Sequence, residues 1–392
     1  MIKIPRGVFS LAALMLLHFS ADMIGGILPG ILPVLRDNFN MTLKMGVIFL
    51  SIRALSSNFC QVAVGPLRKN SSRPFFIYVG LLLLALIGIF GFLPKNTPPW
   101  ILFILSGIFG CGTAVIHPEG LRGAMGIKDI NNATTTALFM TMGFCGFSSG
   151  PLIGALLIDL KWGLKSLVLL TLLLMLVILA IYAAKVELLT ENANGKKENN
   201  ENIDRRWNFP TLFLIAFFMN AGSTVLLALL PTFLHDIYNF SLKFGGLGSL
   251  FFGIGSAVGS VFGGMLAKKY KPSNITMSNL GIGVILMVLY FILSSHKWAF
   301  VILFFAGFTS SSSLPLLIVM ARHAGSKLVI GLKMGIIVGG TWGSAAFVLF
   351  ILSFIVEKIG LLNMMWIVCS LYIFSFAIAV FAALFKFKKA VE

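Results

Sequence analysis

Charge is what this sequence has least of. Only 11% of its 392 residues are Asp, Glu, Lys or Arg, less than half the roughly 25% of a soluble domain. Hydrophobic residues make up 58% and the mean hydropathy is +0.97. An ordinary soluble domain is excluded, and a chain that crosses a membrane many times is expected. Acids are scarcest, thirteen against thirty Lys and Arg, for a net charge of +17. In a soluble protein that surplus would suggest nucleic acid; here the basic residues must first be placed relative to the membrane. Cysteine is also sparse. Cys60, Cys111, Cys145 and Cys369 fall in apolar runs without C-x-x-C spacing, which indicates neither a disulfide framework nor a thiolate metal site and reads as small buried hydrophobes.

Long apolar runs are abundant. Segments of about 20 residues, enough to cross about 30 Å of hydrocarbon, are placed twelve times: 8–35, 45–66, 74–93, 99–117, 133–158, 164–186, 210–234, 245–267, 274–294, 298–321, 328–355 and 361–385. Lys3 and Arg6 before the first run resemble the start of a signal peptide, but the run is too long for one and is expected to stay as a spanning helix. The one long polar stretch, 187–209, is rich in Asn, Glu and Lys without an apolar face. It reads as a cytoplasmic linker between two six-helix halves, 1–186 and 210–392. Lys and Arg concentrate in the loops on the side of the N-terminus. Both termini are therefore expected in the cytoplasm, and the basic excess becomes a topology signal that removes nucleic acid as a partner.

An internal repeat supports two halves independently. DNFNMTLKMG at 37–46 aligns without gaps on DIYNFSLKFG at 236–245, an offset of 199 that also pairs Gly65 with Gly264, Leu67 with Leu266 and Lys69 with Lys268. Duplicated six-helix halves are the plan of many secondary transporters. The expected fold class is all-α: a polytopic membrane protein of twelve transmembrane helices in two pseudo-symmetric six-helix bundles.

Three motifs carry more specific information. GFCGFSSGPLIG at 143–154 places Gly146, Gly150-Pro151 and Gly154 at intervals of four, small residues for a close helix crossing and a proline that bends the helix. HFSADMIGGILPGILPVL at 18–35 and GTAVIHPEGLRGA at 112–124 set ionisable groups in apolar surroundings. With them the chain resembles the fosmidomycin-resistance branch of the major facilitator superfamily, strongly over the first half and, through GLKMGIIVGGTWG at 331–343, more weakly over the second. The glycine-proline motif looks like the superfamily's antiporter signature. The resemblance implies a multi-pass inner-membrane protein that exports a drug-like or amphiphilic compound in exchange for protons. It carries over to His18, Asp22, His117, Pro118, Glu119, Arg122, Gly150 and Pro151.

The chain departs from that pattern at three places. Lys69, in GPLRKNSSR, stands where the superfamily loop has an acid, and Lys268 occupies the equivalent place in the repeat, so the usual lock between halves is expected to differ. Met140 and Phe144 replace amide side chains, giving a less polar cavity. Arg53 puts a cation within the second span.

Asp22 is the only acid deep in a span, with His18 one turn before it. Such a charge is costly in a bilayer and usually faces a cavity or a partner. His18, Asp22 and Arg53 are the candidate substrate and proton-coupling residues. Asp22 either carries a proton or forms a structural pair with Arg53. His117, Glu119, Arg122, Gly146, Gly150, Pro151, Lys69 and Lys268 are the candidate gating residues. Of these, Glu119 and Arg122 read equally as a helix-end ion pair, and His117 as a relay or a structural residue. The run TSSSSLP at 309–315 either lines a cavity or bonds its own helix, and Gly331, Gly335 and Gly339 read as a packing face. A membrane enzyme would use His117 and Glu119, but no nucleophile elbow, H-E-x-x-H or D-x-x-D pattern accompanies them. The expected partners are a small-molecule substrate, protons and the bilayer, with no cofactor or metal and the chain acting as a monomer; a uniporter or symporter for a small metabolite is the alternative.

Overall fold

A computed structural model describes residues 6–67, 71–190, 204, 206–326, 328 and 330–384. Among them every regular element is helical, as hydrocarbon demands of a chain that must satisfy its own backbone groups. The helices are α1 (Arg6–Gly30, followed by the short Leu32–Asn38), α2 (Leu43–Leu67) and α3 (Phe75–Ala85, extended by the 3-10 turn Leu86–Gly91). Next come α4 (Pro99–Met125), α5 (Asn132–Ile158), α6 (Val168–Ala183), α7 (Phe209–Tyr238), α8 (Leu242–Leu266) and α9 (Pro272–Leu293). The last are α10 (Phe300–Ser311, continued by Ser313–His323), α11 (Ile330–Gly335, then a π-helical turn Ile336–Gly340, then Thr341–Ser353) and α12 (Val356–Leu384). Among the described residues eleven helices are long and apolar enough to cross a membrane, and Phe75–Gly91 is a shorter apolar helix. The result is a twelve-helix, all-α membrane fold.

Two compact units form: Met1–Lys197 with Ser241–Gly246, and Glu198–Phe240 with Leu247–Glu392. The sequence repeat recurs in backbone geometry. Asn40 and Asn239, equivalent positions, both take the left-handed conformation at φ 51° and 56°, which asparagine tolerates better than most residues. Just beyond, the Met45 N–H donates to the Thr42 hydroxyl and the Phe244 N–H to the Ser241 hydroxyl, so α2 and α8 start with the same cap.

The glycine motif of α5 packs on α1. A Cβ on Gly146 would strike the Phe19 carbonyl and one on Gly150 the Met23 carbonyl, while Gly26 of α1 lies on the Phe147 carbonyl in return. In the second unit Gly255 and Gly259 of α8 meet the Phe304 and Phe308 carbonyls in the same way. Gly335 and Gly339 do not form the packing face read from their spacing. Nothing lies within 4 Å of a Cβ at either, and a π-helical turn, Ile336–Gly340, interrupts the α-helical spacing between them. The serine run bonds its own helix: Thr309, Ser310 and Ser312 donate to the Phe305, Ala306 and Thr309 carbonyls.

The Sγ atoms of Cys60 on α2 and Cys111 on α4 lie 2.9 Å apart as free thiols. Motif spacing could not show this, since the pair joins two helices.

Candidate functional site

The first unit gathers the chemistry. Asp22, partly buried near the middle of α1, is reached from two helices. His117 Nε2 donates to Asp22 Oδ1 at 2.9 Å, and His18 Nε2 lies 3.2 Å from Asp22 Oδ2. His117 was expected near a helix end because the apolar run stops there. In fact α4 continues to Met125, since Pro118, Glu119 and Arg122 are accommodated inside the bundle, and His117 comes to mid-helix depth beside Asp22.

His18 is the best-fixed member. It is 4% exposed, its ring stacks on Phe139 of α5 with centroids 4.1 Å apart, and its Nδ1 lies 2.7 Å from the Phe139 carbonyl oxygen. A carbonyl only accepts, so Nδ1 carries the proton of the neutral imidazole. Nε2 is then a bare acceptor facing a carboxylate oxygen, itself an acceptor. The 3.2 Å contact is a hydrogen bond only when one further proton lies between them, on Asp22 or on His18. Space is tight, because a Cβ on Gly143 would collide with the His18 ring and approach Asp22.

The three side chains offer ligand atoms within 4.8 Å of one another, close enough to hold a small cation. Two hydrogen-bond-length contacts and a nearby guanidinium make a proton the better occupant than a divalent ion.

Arg53 of α2 feels the Asp22 charge but forms no ion pair with it; among the described residues the carboxylate's ion-pair partners are the two histidines. The guanidinium rests on Gly25, where any side chain would overlap it, with its carbon 5.9 Å from the Phe147 ring centroid.

Farther along α4, Arg122 Nη1 donates to buried Glu119 at 2.8 Å. Its Nε and Nη2 also donate to the Leu189 carbonyl at 3.0 and 2.8 Å, and Nη2 to the Ser71 carbonyl at 3.2 Å. One side chain thus ties α4 to the loop after α2 and to the segment after α6. Those carbonyls carry no sequence signal, so this role could not be read from spacing. Lys268 is exposed in the turn after α8, and Lys69 lies outside the described residues.

Among proteins of known sequence, the chain is 31% identical over 156 residues to the fosmidomycin resistance protein of Escherichia coli (strain K12), 38% of this chain and 36% of that one. The match therefore spans about a third of that relative's length. It is 24% identical over 360 residues to the uncharacterized MFS-type transporter YfnC of Bacillus subtilis (strain 168), 88% of this chain and 85% of that one. In fold it is similar to a bacterial homolog of the human lysosomal transporter Spinster, solved in an inward-facing, unoccupied conformation. The TM-score is 0.69 at 15% identity, over 98% of this chain and 97% of that one. The family model of the Major Facilitator Superfamily matches residues 14–331. A chain with these twelve helices and this match is a multi-pass membrane transporter for a small molecule rather than an enzyme, and it belongs to the Major Facilitator Superfamily.

Proposed function

We propose that this transporter is secondary active and proton-coupled, exporting a small drug-like or amphiphilic compound in exchange for protons by alternating access. In this reading its halves, 1–186 and 210–392, are joined by the cytoplasmic linker 187–209. The protein acts as a monomer in the inner (plasma) membrane with both termini cytoplasmic.

The observation that carries the reading is the proton count at His18. With its Nδ1 proton committed to Phe139, the Asp22–His18 contact has a place for one exchangeable proton, and His117 offers a second exchange partner on the other carboxylate oxygen. Intramembrane carboxylates with histidine partners are the groups from which proton relays are built. The partial match to the fosmidomycin resistance protein supports export as the direction.

Proteoliposomes under an imposed pH gradient, with fosmidomycin as first test compound, examine the reading. Transport is expected to follow the gradient in the native protein. Asp22→Asn should abolish that dependence while the protein still elutes as a folded, monodisperse species. Flux that ignores the gradient and is unchanged in Asp22→Asn would overturn the reading. Arg53 favours symport as a second reading, because a permanent cation beside a protonated cluster can hold an anion and a proton together. The direction of proton movement in the same vesicles separates the two.

A further inference from the structure

We propose that Arg53 is the head-group site of the transported compound and that this compound is an amphiphilic organic anion. The inference rests on the transporter reading but not on proton coupling.

Arg53 stands ten residues into the 25-residue α2, about 15 Å from its start, at a depth where a charge is costly. Its guanidinium carries five N–H donors in a planar fork that stays charged. None of them has an acceptor among the described residues. Asp22, the acid in electrostatic reach, has both oxygens engaged by the histidines. Gly25 lies beneath the guanidinium, with the Phe147 ring to one side. A permanent cation with open donors in such surroundings calls for an oxyanion, which a guanidinium can bind through two parallel hydrogen bonds.

Charge points the same way. With one proton between His18 and Asp22, those two side chains sum to zero charge wherever that proton sits, and Arg53 beside them adds a positive charge. A cationic compound is repelled, and a neutral one leaves the fork unsatisfied.

The apolar part of the ligand follows from α5. Met140, Phe144 and Phe147 share one face, at spacings of four and three, and Met140 and Phe144 are 39% and 40% exposed. An oxyanion on Arg53 beside Phe147 would lay its hydrocarbon along this stripe.

The test compares 4-phenylbutyrate with its neutral amide, 4-phenylbutyramide, binding to the purified full-length protein by thermal shift and calorimetry. The acid is expected to bind and stabilise the native protein and the amide to fail. Arg53→Gln should weaken the acid roughly tenfold or more, with Arg53→Lys in between. Equal binding of acid and amide, no binding of the acid, or acid binding unchanged in Arg53→Gln overturns the proposal. If Arg53→Gln does not fold, the acid-against-amide comparison on the native protein decides alone. Excess phosphatidylglycerol in the micelles should leave the difference intact; its abolition would assign the site to a lipid head group and overturn the proposal. Loss of gradient-driven transport in Asp22→Asn bears on proton coupling and leaves this comparison untouched.

Discussion

Single residues in this protein act through what they hold rather than through what they are. Asp22 stands out in the sequence as a deep acid, yet its chemistry is set by a histidine one turn away, a histidine 95 residues away and a backbone carbonyl on a third helix. The carbonyl is the least legible of these, because Phe139 reads as an ordinary apolar residue. Arg122 is a similar case. Its partner Glu119 is 2% exposed, so Arg122→Ala should destabilise the protein by roughly 3–5 kcal/mol, the usual effect of breaking a buried pair. The Glu119→Gln, Arg122→Gln double variant should be milder, as the buried negative charge is removed together with its cation. Thermal denaturation in detergent checks both. Limited proteolysis should also cut the 187–190 segment faster in Arg122→Ala, since two hydrogen bonds to Leu189 are lost.

At the scale of elements, the α1–α5 crossing is governed by glycine. Gly150→Leu must push α5 off the Met23 carbonyl and is expected to cost roughly 1–3 kcal/mol or more, as overpacking does; a lowered melting temperature would show it. The start of α9 is held from a distance: Asp204 accepts from the Ser273 N–H at 2.9 Å and the Arg206 N–H at 3.1 Å. Burial opposes its ionisation, but hydrogen bonding at Ser273 and Arg206 and the Arg206 charge outweigh burial and hold the carboxyl below its ordinary value. A carboxyl lowered on folding contributes stability above its unfolded value, near pH 4, and loses it as pH falls through the folded value. Asp204→Ala should therefore lower the melting temperature at pH 7, by an effect of about 0.5 kcal/mol for a cap that is only part-buried. The difference from the native protein should close as pH falls below the ordinary carboxylate range. Helix positions and the α5 crossing were legible in sequence because each is written in local periodicity. The far end of α4 was misjudged because Pro118, Glu119 and Arg122 look like an exit from the membrane when their partners are unknown.

For the whole molecule, twelve crossings require both ends of the chain on one side of the membrane. Reporters fused to either terminus should therefore report the same compartment, and opposite signals would contradict the twelve-helix fold. Composition and apolar run length determined by themselves that this is a polytopic helical membrane protein, since hydrocarbon thickness and backbone desolvation leave little choice. The offset of 199 also announced the duplication, because the left-handed asparagine and the hydroxyl cap are local devices that a short segment encodes whole. Only the tertiary structure decided that Asp22 pairs with His18 and His117, that the Phe139 carbonyl orients His18, and that the Arg53 donors meet no acceptor among the described residues. Those outcomes depend on which faces of α1, α2, α4 and α5 meet, and a helix face has no partner until the helices pack.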